Sequence, residues 1–393
     1  MKNLLLIAGL FSLTLFSNCG QSASHENTYY DGSSSYSQEE RASGESIKKD
    51  FKVNPGGNLD VKLHTGGSIE IKGWDKDLIS VEISQKRDEV YFEFDQQGND
   101  LTITSEYRER KNNHSRSPKL FIKVPAKYNS KFYSLGGAID VAGVEGKIEG
   151  STMGGAINIK NIKGVLDVKT MGGAIKITDS EAEGKAKTMG GEVLVENVKG
   201  DIDASSMGGK VRHINVTGKN KSVGKEIDIH TMGGDLDIDT APSGAKLKTM
   251  GGDINVNSVS KFLDAETMGG DIFVKKAEGT VKVKTMGGDI EINMPCAPEE
   301  VKDISLTSLG GDVTLSIPEG ASVVFDIDIE LTRNHSDNPK VISDFKINEN
   351  RTTDWEYKHG QDRKHIYGSG EINGGKYKIK IRNVNGNVIL KKS

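Results

Sequence analysis

Cysteine, proline and aromatic residues are all scarce in this 393-residue chain: two, eight and 6%, respectively. Two cysteines, Cys19 and Cys296, are too few for a disulfide framework or a paired-cysteine metal site. Little aromatic content argues against a large globular core and suits many tight turns with β-branched layers. The eight histidines (His25, His64, His114, His213, His230, His335, His359 and His365) show no His-X-X-X-His spacing. The nearest pair, His359 and His365, falls in a polar stretch that reads as solvated loop. No Gly-X-Ser-X-Gly elbow or phosphate-binding loop occurs, so no cofactor is expected and an enzyme is the least favoured class. A net charge of −4 gives no overall pull toward nucleic acid.

Glycine, by contrast, is abundant at 47 residues, and it is periodic. Eight copies of Thr/Ser-Met-Gly-Gly carry Met153, Met171, Met189, Met207, Met232, Met250, Met268 and Met286. Two copies of Ser-Leu-Gly-Gly carry Leu135 and Leu309. Successive spacings are 18, 18, 18, 18, 25, 18, 18, 18 and 23 residues. A period this short marks a solenoid, whose coils bury their apolar faces only when stacked. Within residues 154–171, Ile157 and Ile159 share one face of a first strand, and Leu166, Val168 and Thr170 one face of a second. Gly164 reads as the bend between them and Gly172-Gly173 as the turn into the next coil. The fold class is therefore all-β, a β-solenoid of two-strand coils stacked at ~4.8 Å. A left-handed hexapeptide helix fits less well, because it needs an aliphatic residue every six positions. The extra residues at 217–224 and around Met294-Pro-Cys296 read as protruding loops.

Residues 1–18 read as a secretion leader, with Lys2 before an apolar run from Leu4 to Phe16. Cys19 directly after it resembles the acylated cysteine of bacterial lipoproteins, although Phe16 and Asn18 depart from the usual pattern. Lipidation of Cys19 would give a membrane anchor, with the outer membrane favoured. Residues 19–50 then form an acylated cysteine and a flexible tether spanning ~30 Å. Residues 51–133 read as an N-terminal β cap with first coils, 134–322 as the regular solenoid, and 323–393 as final coils with a polar cap. Caps are expected, because a bare solenoid end is an open sheet edge.

The Thr-X-Gly-Gly-Asp-Ile-X-Val repeats, the Gly-Gly-Ser-Ile-Glu-Ile-Lys-Gly-Trp74 strand, the Phe121-Ile-Lys-Val124-Pro125 strand and the closing Gly-Glu-Ile-Asn-Gly-Gly…Asn-Gly-Asn-Val segment together resemble the bacterial "putative adhesin" β-strand-repeat family. The resemblance covers residues 51–393. It implies a β-solenoid on an exported protein and no defined catalytic residues.

Stacking should place Asp235, Asp253, Asp271 and Asp289 in one column ~5 Å apart, where like charges repel. Two compensations suggest themselves: a lysine column (Lys169, Lys187, Lys248, Lys284), which is preferred, or calcium. Alternation from Leu166 and Val168 points Thr170 inward and Met171 outward, but the glycine bend can reset the phase. Inward methionines are plain core; outward ones form an adaptable apolar stripe. Arg108, Arg110, Lys111 and Arg116 crowd one segment, which reads as a solvated hairpin loop or, functionally, as a polyanion contact. The resulting expectation is a non-enzymatic, lipid-anchored envelope protein that binds a protein or polysaccharide along a repetitive surface. The alternative is a periplasm-facing structural or stress-responsive lipoprotein.

Overall fold

The computed structural model describes residues 46–84, 90–108, 117–218, 225–333, 338–358 and 360–393. Cys19, Arg110, Lys111 and Arg116 lie outside them. Each coil contributes one strand to each of two facing parallel stacks. In one stack, strands Ile139–Ala142, Ile157–Lys160 and the first half of Ile175–Thr188 pair in register, so Ile139, Ile157, Ile175 and Val193 form one column. In the other, Glu145–Thr152, Lys163–Thr170 and the second half of Ile175–Thr188 pair likewise. Between the stacks lies a dry core of aliphatic columns. One coil seals Ile157, Ile159, Ile162, Leu166 and Val168, each at most 3% exposed. Burial of each such side chain is worth about 1.5–3 kcal/mol.

The bend between the two strands of a coil falls earlier than expected. It sits at Asn161, Asp179, Asn197 and Asn215, all left-handed with φ of 50–54°. Asn and Asp tolerate this conformation, and their side chains join into a ladder: Asn215 donates to Asn197 at 2.8 Å and Asn197 to Asp179 at 3.1 Å. Gly164 lies within strand Lys163–Thr170 instead, where a Cβ would come within 2.0 Å of the Gly146 carbonyl.

Both ends of the stack are spliced. The coil of Asn58–Leu63 and Ser68–Trp74 does not end the rod. It sits between Asp100–Tyr107 with Lys119–Pro125 on one side and Asn129–Ser134 with Ile139–Ala142 on the other. At the far end, the last coil, Tyr377–Val384 and Val388–Lys392, is slotted between Val301–Ser308 with Val313–Ile317 and Val323–Thr332 with Val341–Ser343. The outermost layers are antiparallel: Ile47–Lys52 on Leu78–Ser84, Val90–Gln97 on Asp100–Tyr107, and Gln361–Ile372 on Val323–Thr332. They cover edges that would otherwise recruit further strands.

Candidate functional site

The Thr-Met-Gly-Gly edge is built from three separate demands. The first residue is buried, and its hydroxyl spans two successive turns. Thr170 donates to the Gly155 carbonyl at 2.8 Å and accepts the Gly173 N–H at 3.2 Å. The same donation recurs from Ser134 on Gly67 to Ser308 on Gly288, at 2.8–3.3 Å. The second glycine is a steric requirement, because a Cβ on Gly173 would lie 2.0 Å from the Gly155 oxygen. The residue between, one step past an inward threonine, must point outward.

The methionines are accordingly surface residues, from 42% exposed at Met153 to 51% at Met232. Alternation is thus not reset by the glycines, and the core reading of this column is corrected. Leu135 and Leu309 occupy the same slot. The main chain fixes the spacing: Met232 N–H donates to the Met207 carbonyl at 3.0 Å, Met250 to Met232 at 3.2 Å and Met268 to Met250 at 3.2 Å. Beside Met153, Met171, Met189, Met207 and Met232 runs an open groove of about 660 Å³. The threonine/serine column and Tyr133, Lys169, Lys187 and His230 also line it. Such a surface is apolar, adaptable and linear, with cationic groups along it.

The sequence matches the Toastrack DUF4097 family over residues 57–391. The chain belongs to that family. Solved structures similar to it include a "putative cell adhesion protein" from Clostridium sporogenes, at 10% identity and TM-score 0.16 over 89% of this chain and 100% of that one. A "putative lipid binding protein" from Parabacteroides distasonis has 11% identity and TM-score 0.24 over 88% and 97%. A "putative adhesin" from Bacteroides fragilis has 11% identity and TM-score 0.20 over 89% and 98%. No curated protein matches. Superpositions this loose add nothing to the family match.

The aspartate column exists, but the lysines do not neutralise it. The Asp235 carboxylate accepts the Asp253 N–H at 3.0 Å, Asp253 that of Asp271 at 2.8 Å and Asp271 that of Asp289 at 2.8 Å. Asp289 takes the Asp312 N–H at 2.7 Å, and Asp312 that of Asn387 at 2.7 Å. Each charge is thus met by a peptide dipole of the next coil. Lys169 turns instead to Asp167 at 3.4 Å, while Lys248 and Lys284 converge on Glu266 at 3.6 and 3.3 Å. Partial burial pushes the Glu266 carboxyl up, and the two ammonium groups outweigh it and hold it below the usual range. Lys210, outside that expected set, does reach the column, 3.6 Å from Asp235, and its hydrogen bond to Asp237 raises its pKa. Among the described residues no group of three or more His, Cys, Asp or Glu is placed to hold a metal ion.

Two histidines differ from expectation. His365 is no loop residue: it lies within strand Gln361–Ile372, 2.8 Å from Asp328 and stacked on Tyr367 at 5.4 Å. His213 replaces an aliphatic residue in a core column, between Val195 and Ile238. Among the described residues neither ring nitrogen has a partner, and burial drives its pKa down to about 4. It lines a cleft of about 780 Å³ with Ile202, Val216 and Ile227. There the second stack is interrupted: Ile202–Ser206 ends one sheet and Ile227–His230 begins the other. The interruption coincides with the inserted residues after Thr217. The signal for His213 was its inward alternation slot after Val211. Of the basic segment only Arg108 is described, and it is exposed.

Proposed function

We propose that this chain is a non-enzymatic envelope lipoprotein, anchored through Cys19, whose solenoid offers the methionine edge to an apolar segment of a partner protein. The observation that carries this reading is the outward column of eight thioethers on successive coils, each 42–51% exposed. Unbranched, polarizable methionines adapt to varied apolar partners. A contiguous exposed apolar stripe rimmed by polar groups marks an interaction surface. Lys187 along the groove favours an acidic flank on the partner segment.

The test uses intact cells. External protease should digest the displayed rod, and replacing Met153, Met171, Met189 and Met207 with glutamine should abolish adherence without altering the circular dichroism. Protection from protease would place the rod on the periplasmic side. Full adherence of the glutamine variant would remove the methionine edge from the account.

A further inference from the structure

Thioethers are not required for an apolar stripe. Leucine already occupies the slot at positions 135 and 309, and β-branched residues suit strand ends better than methionine does. Yet eight coils place a sulfur there. What methionine adds over leucine is a soft donor atom, which prefers soft cations such as Cu(I). The two halves of the column also differ electrically. Three residues beyond Met153, Met171, Met189 and Met207 stand Ala156, Ala174, Glu192 and Lys210, with no net charge among them, whereas Asp235, Asp253, Asp271 and Asp289 follow Met232, Met250, Met268 and Met286. In that second half Lys248 and Lys284 are committed to Glu266, and Lys282 to Asp264 at 3.1 Å. Among the described residues Lys210 meets Asp235 at 3.6 Å, and beyond it Asp253, Asp271 and Asp289 leave this stretch of the edge negative.

We propose that Met232, Met250, Met268 and Met286 form a ladder of thioether ligands for a soft monovalent cation, Cu(I) or Ag(I). The coil repeat sets equivalent sulfurs ~4.8 Å apart. Sulfurs on adjacent rungs are thus close enough for one cation to bridge two of them. The main-chain bonds from Met250 to Met232 and from Met268 to Met250 hold that spacing. The aspartates act at longer range, concentrating cations along the edge. The docking groove lies along the other half of the column and shares Met232 with this ladder.

The experiment is a titration of the full chain with Ag(I) in chloride-free buffer. Cys19→Ser and Cys296→Ser are included so that no thiol competes. The expected result is ~2 ions per chain, one for each pair of thioethers. Changing all four methionines to leucine should weaken binding at least tenfold while leaving the circular dichroism unchanged. Asp253→Asn with Asp271→Asn should weaken binding a few-fold. In the chain that keeps its methionines, the ε-methyl resonances of these four should shift on adding Ag(I), and that of buried Met294 should not. Affinity no better than free methionine, binding unaltered by the leucine changes, or equal shifts at Met153–Met207 would each overturn the proposal. Full adherence of the Met153, Met171, Met189 and Met207 glutamine variant with intact Ag(I) binding would count against the docking groove alone.

Discussion

The Thr170 hydroxyl donates to the Gly155 carbonyl at 2.8 Å and accepts the Gly173 N–H at 3.2 Å, so one buried side chain joins two successive turns of the solenoid. The two glycines of the motif are therefore unequal. Gly173→Ala would drive a Cβ to 2.0 Å from Gly155, whereas the nearest atoms to a Cβ on Gly172 lie 3.7 Å away. Gly173→Ala should cost ~3 kcal/mol or more, and Gly172→Ala within ~1 kcal/mol. Thr170→Val strands a carbonyl and an N–H and should cost ~1–3 kcal/mol. Urea unfolding checks all three, and equal losses for the two glycines would contradict this packing.

The buried His213 makes stability acid-sensitive. Its folded pKa is about 4, below the ordinary 6.5, so protons favour the unfolded chain. The stabilisation is complete above the unfolded value and is lost as pH falls from 6.5 toward 4, by up to ~3 kcal/mol. His213→Leu should flatten the profile across that window while changing little at pH 8. Unfolding midpoints at pH 8 and pH 5 for both chains measure it.

The aspartate column should respond to its acceptors, not to its charge. Asp253→Asn keeps an oxygen for the Asp271 N–H and should cost under ~1 kcal/mol. Asp253→Ala removes it and should cost ~1–2 kcal/mol. Because peptide N–H groups already meet these carboxylates, millimolar calcium should raise the melting temperature no more than an equal change in ionic strength. A calcium-specific rise, removed by Asp253→Asn with Asp271→Asn, would reverse this assignment.

At the far end the column closes on Asn387, whose side-chain amide lies 3.2 Å from both Asp312 oxygens. Asn387→Ala should loosen the spliced last coil first. Amide exchange at Val388–Lys392 should quicken before that of Ile290–Asn293.

Residues with one local reason were legible in the sequence. The period of the glycine pairs marks the coils, and the alternation of Leu166, Val168 and Thr170 sets the inward face; the side taken by the methionine was not legible, because a glycine pair can reset the phase. Asn161 escaped as the bend because an asparagine in a left-handed turn looks like any polar strand residue. The splicing of Asn58–Leu63 and of Tyr377–Val384 between other coils depends on pairing across large sequence distances, for which no local pattern exists. The lysines were assigned to the wrong acids because a backbone N–H of the next coil lies closer to each aspartate than an ammonium on the neighbouring strand.

Both proposals require that every Thr-Met-Gly-Gly mark one rung, so that the thioethers fall into one column. Deleting Gly251–Met268, a unit of 18 residues, joins Met250 to Gly269-Gly270-Asp271 and should leave a shorter, folded rod with Met286 one rung from Met250. Its stability should fall only modestly, since repeat energies are close to nearest-neighbour sums. Deleting the nine residues Gly251–Val259 sets first-strand residues against a second strand and should unfold at least the local coils. The measurement is circular dichroism with limited proteolysis on the two chains. Equal damage from both deletions would contradict the register on which the column rests.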